Sequence, residues 1–215
     1  MKNILFFGDS NTWGYTPVTG ERYPAGVRWT TVAAALLGGE YNCVECGING
    51  RTTVFEDPWR GCRRGSDALD FELIANTPLD LLFIMLGTND LKFADAYRAA
   101  KGVDTLCAMA QTVDERRFTL SPVFPNGVKI LVASPIHIAP GSEHNDEYIL
   151  MPRGHEESLK FAGYMSAFAA ARGVYFMDAA QFAQPSSADC EHMTPEGHAA
   201  FGKAAADKIR EILEQ

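Results

Sequence analysis

Ser10 stands just past an abrupt change in the chain. The run Ile4-Leu5-Phe6-Phe7 is wholly apolar, Gly8 ends it, and Asp9-Ser10-Asn11-Thr12 follow before Trp13 and Gly14. A serine placed beyond the carboxyl end of a buried strand sits where open α/β sheets bind their ligands. Its hydroxyl is a poor nucleophile unless a base removes the proton and a third group orients that base. Asp189-Cys190-Glu191-His192 offers both. At a spacing of three in a turn, the Asp189 carboxylate can fold back on the His192 ring, accept from Nδ1–H and leave Nε2 facing a hydroxyl. His137 and His144 lie in a loop without a comparably placed acid, His155 starts a polar helix and His198 falls inside the last helix. Two further stretches fit acyl transfer. Asn89, in Leu86-Gly87-Thr88-Asn89-Asp90, carries an amide suited to donate to a tetrahedral oxyanion, although alone Asn89-Asp90 reads as a turn and helix cap. Gly50, in Cys46-Gly47-Ile48-Asn49-Gly50-Arg51-Thr52-Thr53, can bring a backbone N–H close to a substrate oxygen or simply make a turn.

The elements that must position these residues follow from hydrophobic patterning. Five short apolar or β-branched runs, Ile4 to Phe7, Tyr41 to Glu45, Leu81 to Leu86, Lys129 to Ala133 and Val174 to Met177, read as strands. Helices are expected at Trp29 to Leu37, Thr105 to Phe118 and Glu157 to Ala171, with a weaker signal at Ser66 to Ile74. The last helix is the best marked: Thr194 can cap it, Pro195 suits its first position, and Phe201, Ala205, Ile209 and Ile212 share one face. Strands that are short and continuously apolar, alternating with helices, imply parallel pairing under helices on both faces. The expected architecture is a flavodoxin-like three-layer α/β/α sandwich with a five-stranded parallel sheet, order 2-1-3-4-5, which sets the loop after Phe7 beside the loop after Leu86. Three long connections, Asn11 to Arg28, Arg51 to Gly65 and Pro135 to His155, should crowd one rim. They carry Trp13, Tyr15, Tyr23, Phe55, Trp59 and Tyr148, either as an aromatic pocket or subunit interface or as anchors holding long loops to the body.

A chain of 215 residues fits one domain, 1–215. The formal net charge of -8 argues against nucleic acid or an anionic membrane as partner, since both need a field of the opposite sign. Five scattered cysteines, an odd number, favour free thiols in a reducing compartment. Cys43 and Cys46 have metal-ligand spacing, but residues three apart on a strand point to opposite faces, and no second pair completes a site, so no metal is expected. Met1-Lys2-Asn3 leads into an apolar run too short for a signal peptide, and a cytoplasmic protein is expected.

Taken together, Gly8-Asp9-Ser10, Gly47-Ile48-Asn49-Gly50-Arg51-Thr52-Thr53, Gly87-Thr88-Asn89-Asp90 and Asp189-Cys190-Glu191-His192 resemble the SGNH hydrolases, also called GDSL esterases and lipases. Gly8 to Gly14 and Leu86 to Asp90 look most like the arylesterase and acyltransferase branch. The resemblance covers nearly the whole chain and extends to Arg51-Thr52-Thr53 followed by Asp57-Pro58. It implies Ser10 as nucleophile, His192 as base, Asp189 as its orienter, and the Ser10 backbone N–H, Gly50 and Asn89 as the oxyanion hole. The implied reaction is ester hydrolysis through an acyl-enzyme on Ser10, without a cofactor and with a small-molecule ester as partner; a shallow rim lined by Trp13 and other aromatics, with no extended apolar lid in the sequence, suits short acyl groups, acetyl above all. Acyl transfer to alcohols, an acetylated-carbohydrate esterase and, in another class, a non-catalytic flavodoxin-like binding module are the alternatives. The likeness is also compatible with a homo-oligomer formed through the long rim loops. One residue departs from the pattern: Asn11 stands where the family expects leucine. That position packs rather than reacts, so Asn11 is expected to alter the polarity of the rim and, with Trp13, to select which ester reaches Ser10. The loop from Ile138 to Arg153 matches no family motif.

Overall fold

Both faces of a parallel sheet must be covered, and the sequence supplies apolar side chains for both. The computed structural model describes residues 1–116, 120–142 and 151–214. Its strands are β1 (Lys2–Gly8), β2 (Tyr41–Gly47), β3 (Leu81–Met85), β4 (Ile130–Ser134) and β5 (Tyr175–Asp178), all paired in parallel in the order β2-β1-β3-β4-β5. This is the expected order and layering. Leu5, Phe7, Leu82 and Ile84 point to one face, which α3 (Gly65–Ala75), α4 (Ala96–Gln111) and α7 (Phe161–Arg172) cover. Ile4, Phe6, Leu81 and Phe83 point to the other, under α2 (Trp29–Leu37) and α8 (Pro195–Leu213). Trp29 is the centre of that second layer, its ring 4.9 Å from Phe6, 5.0 Å from Phe83 and 4.9 Å from Phe201. Cys43 packs with the α2 and α8 side and Cys46 with the opposite side, as strand geometry requires.

The helix bounds differ from expectation at two places. The segment expected from Thr105 begins earlier, at Ala96, because Asp95 caps it by accepting from the Arg98 N–H at 2.8 Å. Thr112 ends that helix, and α5 (Val113–Arg116) follows as a separate turn. The expected end, Phe118, lies outside the described residues. The segment expected from Glu157 to Ala171 is two helices, α6 (Gly154–Ser158) and α7. Ser158 marks the break: its hydroxyl donates to the His155 carbonyl at 2.7 Å and accepts from the Ile138 N–H at 3.0 Å.

Register brings the site together. Gly8 pairs with Gly47 of β2 and with Met85 of β3, so three strands end at one level and their following loops share one rim. The short helix α1 (Ser10–Trp13) lies directly on that edge, where a Cβ at Gly47 would come 2.3 Å from the Trp13 backbone nitrogen. Arg51, 1% exposed, ties the loops down: its Nη1 donates to the carbonyls of Gly8 at 3.1 Å and Cys46 at 2.6 Å, and its guanidinium lies 4.1 Å from the Phe7 ring centre.

Gly102 shows how tightly this rim is packed against α4. A Cβ there would stand 1.9 Å from Thr53 Oγ1 and 2.8 Å from Thr53 Cβ, and Thr53 is buried and bonded to Asp90. Helix propensity alone favours alanine over glycine by about 1 kcal/mol. Here overpacking wins, and Gly102→Ala should instead destabilise by about 1–3 kcal/mol. Urea denaturation checks this: a lower midpoint at unchanged slope is expected, and an unchanged or higher midpoint would mean that Thr53 yields.

Candidate active site

The β1 strand delivers Ser10 at the first position of α1. Asp9 caps that helix by accepting from the Asn11 N–H at 3.1 Å, and Gly14, in the left-handed region at φ 90°, ends it. Ser10 is only 5% exposed, and its Oγ lies 2.8 Å from His192 Nε2. His192 Nδ1 lies 2.6 Å from Asp189 Oδ2. An ionised carboxylate can only accept, so Nδ1–H donates to Asp189 and Nε2 accepts from the Ser10 hydroxyl. The other Asp189 oxygen, Oδ1, accepts from the Glu191 and His192 backbone N–H groups, each at 3.0 Å. This is the expected fold-back of the carboxylate onto its own turn.

Gly50 and Asn89 stand on the same cavity, which has a volume of about 250 Å³ and is lined by Ser10, Tyr15, Asn49, Gly50, Arg60, Arg63, Asn89, Lys92, Met151, Glu191 and His192. Gly50 adopts φ 80°, a left-handed conformation that favours glycine. Asn89 is 3% exposed; its Oδ1 accepts from Lys92 Nζ at 2.8 Å, and its Nδ2 has no hydrogen-bond partner among the described residues. Lys92 thus fixes the carbonyl side of an amide that borders the cavity, and the buried donor side is left without a hydrogen-bond partner among the described residues. Asp90 joins the two loops: it accepts from the Thr53 N–H at 3.0 and 3.1 Å and from the Thr53 hydroxyl. The neighbours of Gly50 and Asn89 are therefore bonded to each other.

Burial and charge oppose one another here. Burial, the largest influence on His192, disfavours its cation, but the carboxylates of Glu191, Asp189 and Asp9 together outweigh it, and the ring titrates above its ordinary 6.5. Burial pushes Asp9 up to about 7 against the Asn11 N–H, and pushes Asp90 up to about 7 against its bonds from Thr53. His198 has the opposite fate. Burial lowers it to about 4, and its Nδ1 accepts from the Trp29 N–H at 3.2 Å, so it is a neutral fixture of the α2 start.

Ser10, Gly50, Asn89, Asp189 and His192 are all brought together. Asn11 and Trp13 do not line the cavity, contrary to the expectation that they meet the ester. Asn11 is 3% exposed and points away from the cavity, into the loop that carries His192, where its Oδ1 accepts from the Met193 N–H at 2.9 Å. Trp13 is half-buried beneath the Arg22 guanidinium, 5.5 Å from its ring centre, and does not line the cavity. Both follow from the helical turn at Ser10, which rotates the next side chains inward and sideways. Of the five rim aromatics among the described residues, only Tyr15 lines the cavity, its ring 4.3 Å from that of His192. Tyr23 packs on His198, Trp59 stacks on Phe93, and Tyr148 lies outside the described residues, as do the rest of residues 143–150. Sequence reasoning passed over Lys92, Arg60 and Arg63 as lining residues. A lysine three positions after Asn89 in a helical turn was the one legible signal among them.

The model of the GDSL-like lipase/acylhydrolase family matches residues 6–200. No curated protein matches the chain by sequence. Solved structures do. The native aryl esterase of M. smegmatis is 34% identical over 99% of this chain and 100% of its own, with a TM-score of 0.91. A carbohydrate acetylesterase from Sinorhizobium meliloti is 34% identical over 99% of this chain and 100% of its own, with a TM-score of 0.90. A second carbohydrate acetylesterase family member from that organism is 30% identical over 100% of both chains, with a TM-score of 0.90. With that extent of match on the fold and motifs described, the chain belongs to the GDSL-like lipase/acylhydrolase family.

Proposed function

We propose that the chain is a serine esterase that hydrolyses short acyl esters, acetyl esters first among them, through an acyl-enzyme on Ser10. The observation that carries the reading is the unbroken line from Asp189 Oδ2 to His192 at 2.6 Å and from His192 to Ser10 Oγ at 2.8 Å, on a cavity that Asn89 also lines, its Nδ2 without a hydrogen-bond partner among the described residues. The aryl esterase and acetylesterase activities named for its relatives support the same substrate class. A cavity of about 250 Å³ suits a short acyl group better than a long chain. Cys43, Cys46, Cys62 and Cys107 are free thiols, which supports a reducing compartment such as the cytoplasm.

His192 Nε2 takes the Ser10 proton as Oγ attacks the ester carbonyl carbon. The carbonyl electron pair moves to oxygen, and that oxyanion accepts from the Ser10 N–H, the Gly50 N–H and Asn89 Nδ2. Collapse breaks the bond to the alcohol oxygen, which leaves with the proton from His192. Water then attacks the acyl carbonyl, gives its proton to His192, and the acid departs as Ser10 Oγ regains it. Asp189 accepts from His192 Nδ1–H and holds the imidazole in the tautomer this sequence requires.

Ser10→Ala should preserve the fold and lower kcat by roughly 10⁴- to 10⁶-fold on p-nitrophenyl acetate. A serine-directed organophosphonate should leave one adduct on Ser10 by mass spectrometry. Labelling at another residue, or none with the fold intact, removes the reading. Asn89→Ala should cost on the order of 10²- to 10³-fold in kcat, and near-parental kcat would deny Asn89 its role.

The pH profile supplies an independent check. The base must be neutral, so kcat/KM should fall as pH drops through the His192 pKa, at an acid limb above 6.5. Glu191→Gln removes a carboxylate that favours the imidazolium and should shift the limb to lower pH. A limb unmoved or moved upward contradicts this account of Glu191.

A further inference from the structure

We propose that Asn11 is a positioning residue of this site: its side-chain amide straps the loop carrying His192 to the turn carrying Ser10. The inference rests on the Ser10 and His192 roles proposed above. Asn11 follows Ser10 directly, is 3% exposed, and meets the chain on both sides of His192. Its Oδ1 accepts from the Met193 N–H at 2.9 Å, and its Nδ2 donates to the Glu191 carbonyl at 3.4 Å. Both partners are main-chain groups of fixed polarity, which determines the orientation of the amide. The remaining bonds of the segment lead elsewhere: the His192 N–H donates to Asp189, and the His192 carbonyl accepts from the Ser186 N–H at 2.7 Å. Asn11 thus links the main chain on either side of the base to the residue beside the nucleophile. Tyr15, from the same connection, packs on the His192 ring and limits its rotation. A leucine at this position can make neither bond and leaves the buried Met193 N–H and the Glu191 carbonyl to find other partners.

Asn11→Leu tests the strap. Its kcat on p-nitrophenyl acetate should fall by about 10- to 100-fold with KM little changed, since small misplacement of reacting groups has costs of that size. In the same sample the downfield proton resonance of His192 Nδ1–H, bonded to Asp189, should broaden or vanish in the proton NMR spectrum. A purely structural role predicts a lower melting temperature with parental kcat and a parental resonance, and that result overturns the proposal. If Asn11→Leu does not fold, Asn11→Asp is read instead. It keeps an acceptor for Met193, loses the donor to Glu191, and should lower kcat by at least about 3-fold with the same broadening; parental values there overturn the proposal too. Failure of the underlying reading looks different: the parental protein would keep its His192 resonance while Ser10→Ala retained hydrolysis.

Discussion

A buried guanidinium holds together the edge of this sheet that carries the candidate active site. Arg51 is 1% exposed, and an unpaired ion at such depth costs several kcal/mol. Among the described residues its hydrogen bonds go to the Cys46 thiol and to the carbonyls of Gly8 and Cys46, the ends of two strands, with the Phe7 ring against the guanidinium and the Asp9 carboxyl near enough to feel its charge. A cation that must satisfy itself on strand ends fixes those ends relative to each other. Arg51 also stands next to Gly50 and two residues before Thr53, so the loop it anchors is the one that bonds Asp90. The separation of Gly50 from Asn89 is thereby set by the interior of the protein and not by the rim loops.

The same dry interior solves a second problem, that of keeping a base strong where its charged form is disfavoured. Burial alone would make His192 a weaker base, as it does for His198. Three carboxylates face it, from Glu191, Asp189 and Asp9, and restore the preference for the cation. Asp9 and Asp90 are themselves poised near neutrality, pushed up to about 7 by burial. The negative potential around His192 therefore weakens as Asp9 takes up a proton, which couples the base to the helix cap next to the nucleophile.

Patterning made the architecture legible, because a parallel sheet covered on both faces leaves continuous apolar runs such as Phe6 to Phe7 and Leu81 to Met85. The residues of the proposed triad, Gly50 and Asn89 were legible for a different reason: each sits at a strand end or before a capped helix, where position along the chain translates directly into position on the rim. Asn11 and Trp13 were misplaced because α1 begins at Ser10, so side-chain direction past that point depends on a helical turn that four residues of sequence do not announce. The start of α4 was masked by Gly102, a poor helix former retained because Thr53 occupies the space a side chain would need. Lys92 needed the turn geometry at Asn89 before its ammonium could be seen to orient the amide.

The loop carrying His192 has no strand or long helix of its own, yet the base must be held to within a fraction of an ångström of Ser10. Main-chain bonds do much of this. Pro185 and Met193 form a bridge, the Ser186 N–H donates to His192, the Cys190 N–H donates to Ser186, and the Ala139 N–H donates to Cys190. Cys190 adopts φ 66°, a conformation that costs a non-glycine residue of order 1 kcal/mol or more and lets the turn bring Asp189 back over His192. These contacts shape the loop internally and dock it on the β4 side, but they do not fix its distance from β1. Groups that span from one side to the other include the Tyr15 ring, the His192 to Ser10 bond, which on the proposed mechanism breaks and reforms in every turnover, and the Asn11 amide, which on that mechanism takes no part in proton transfer. On the proposed mechanism, a bond that persists while its neighbour is remade keeps the imidazole in reach throughout the cycle, which gives an asparagine beside the proposed nucleophile a physical use that a leucine cannot serve.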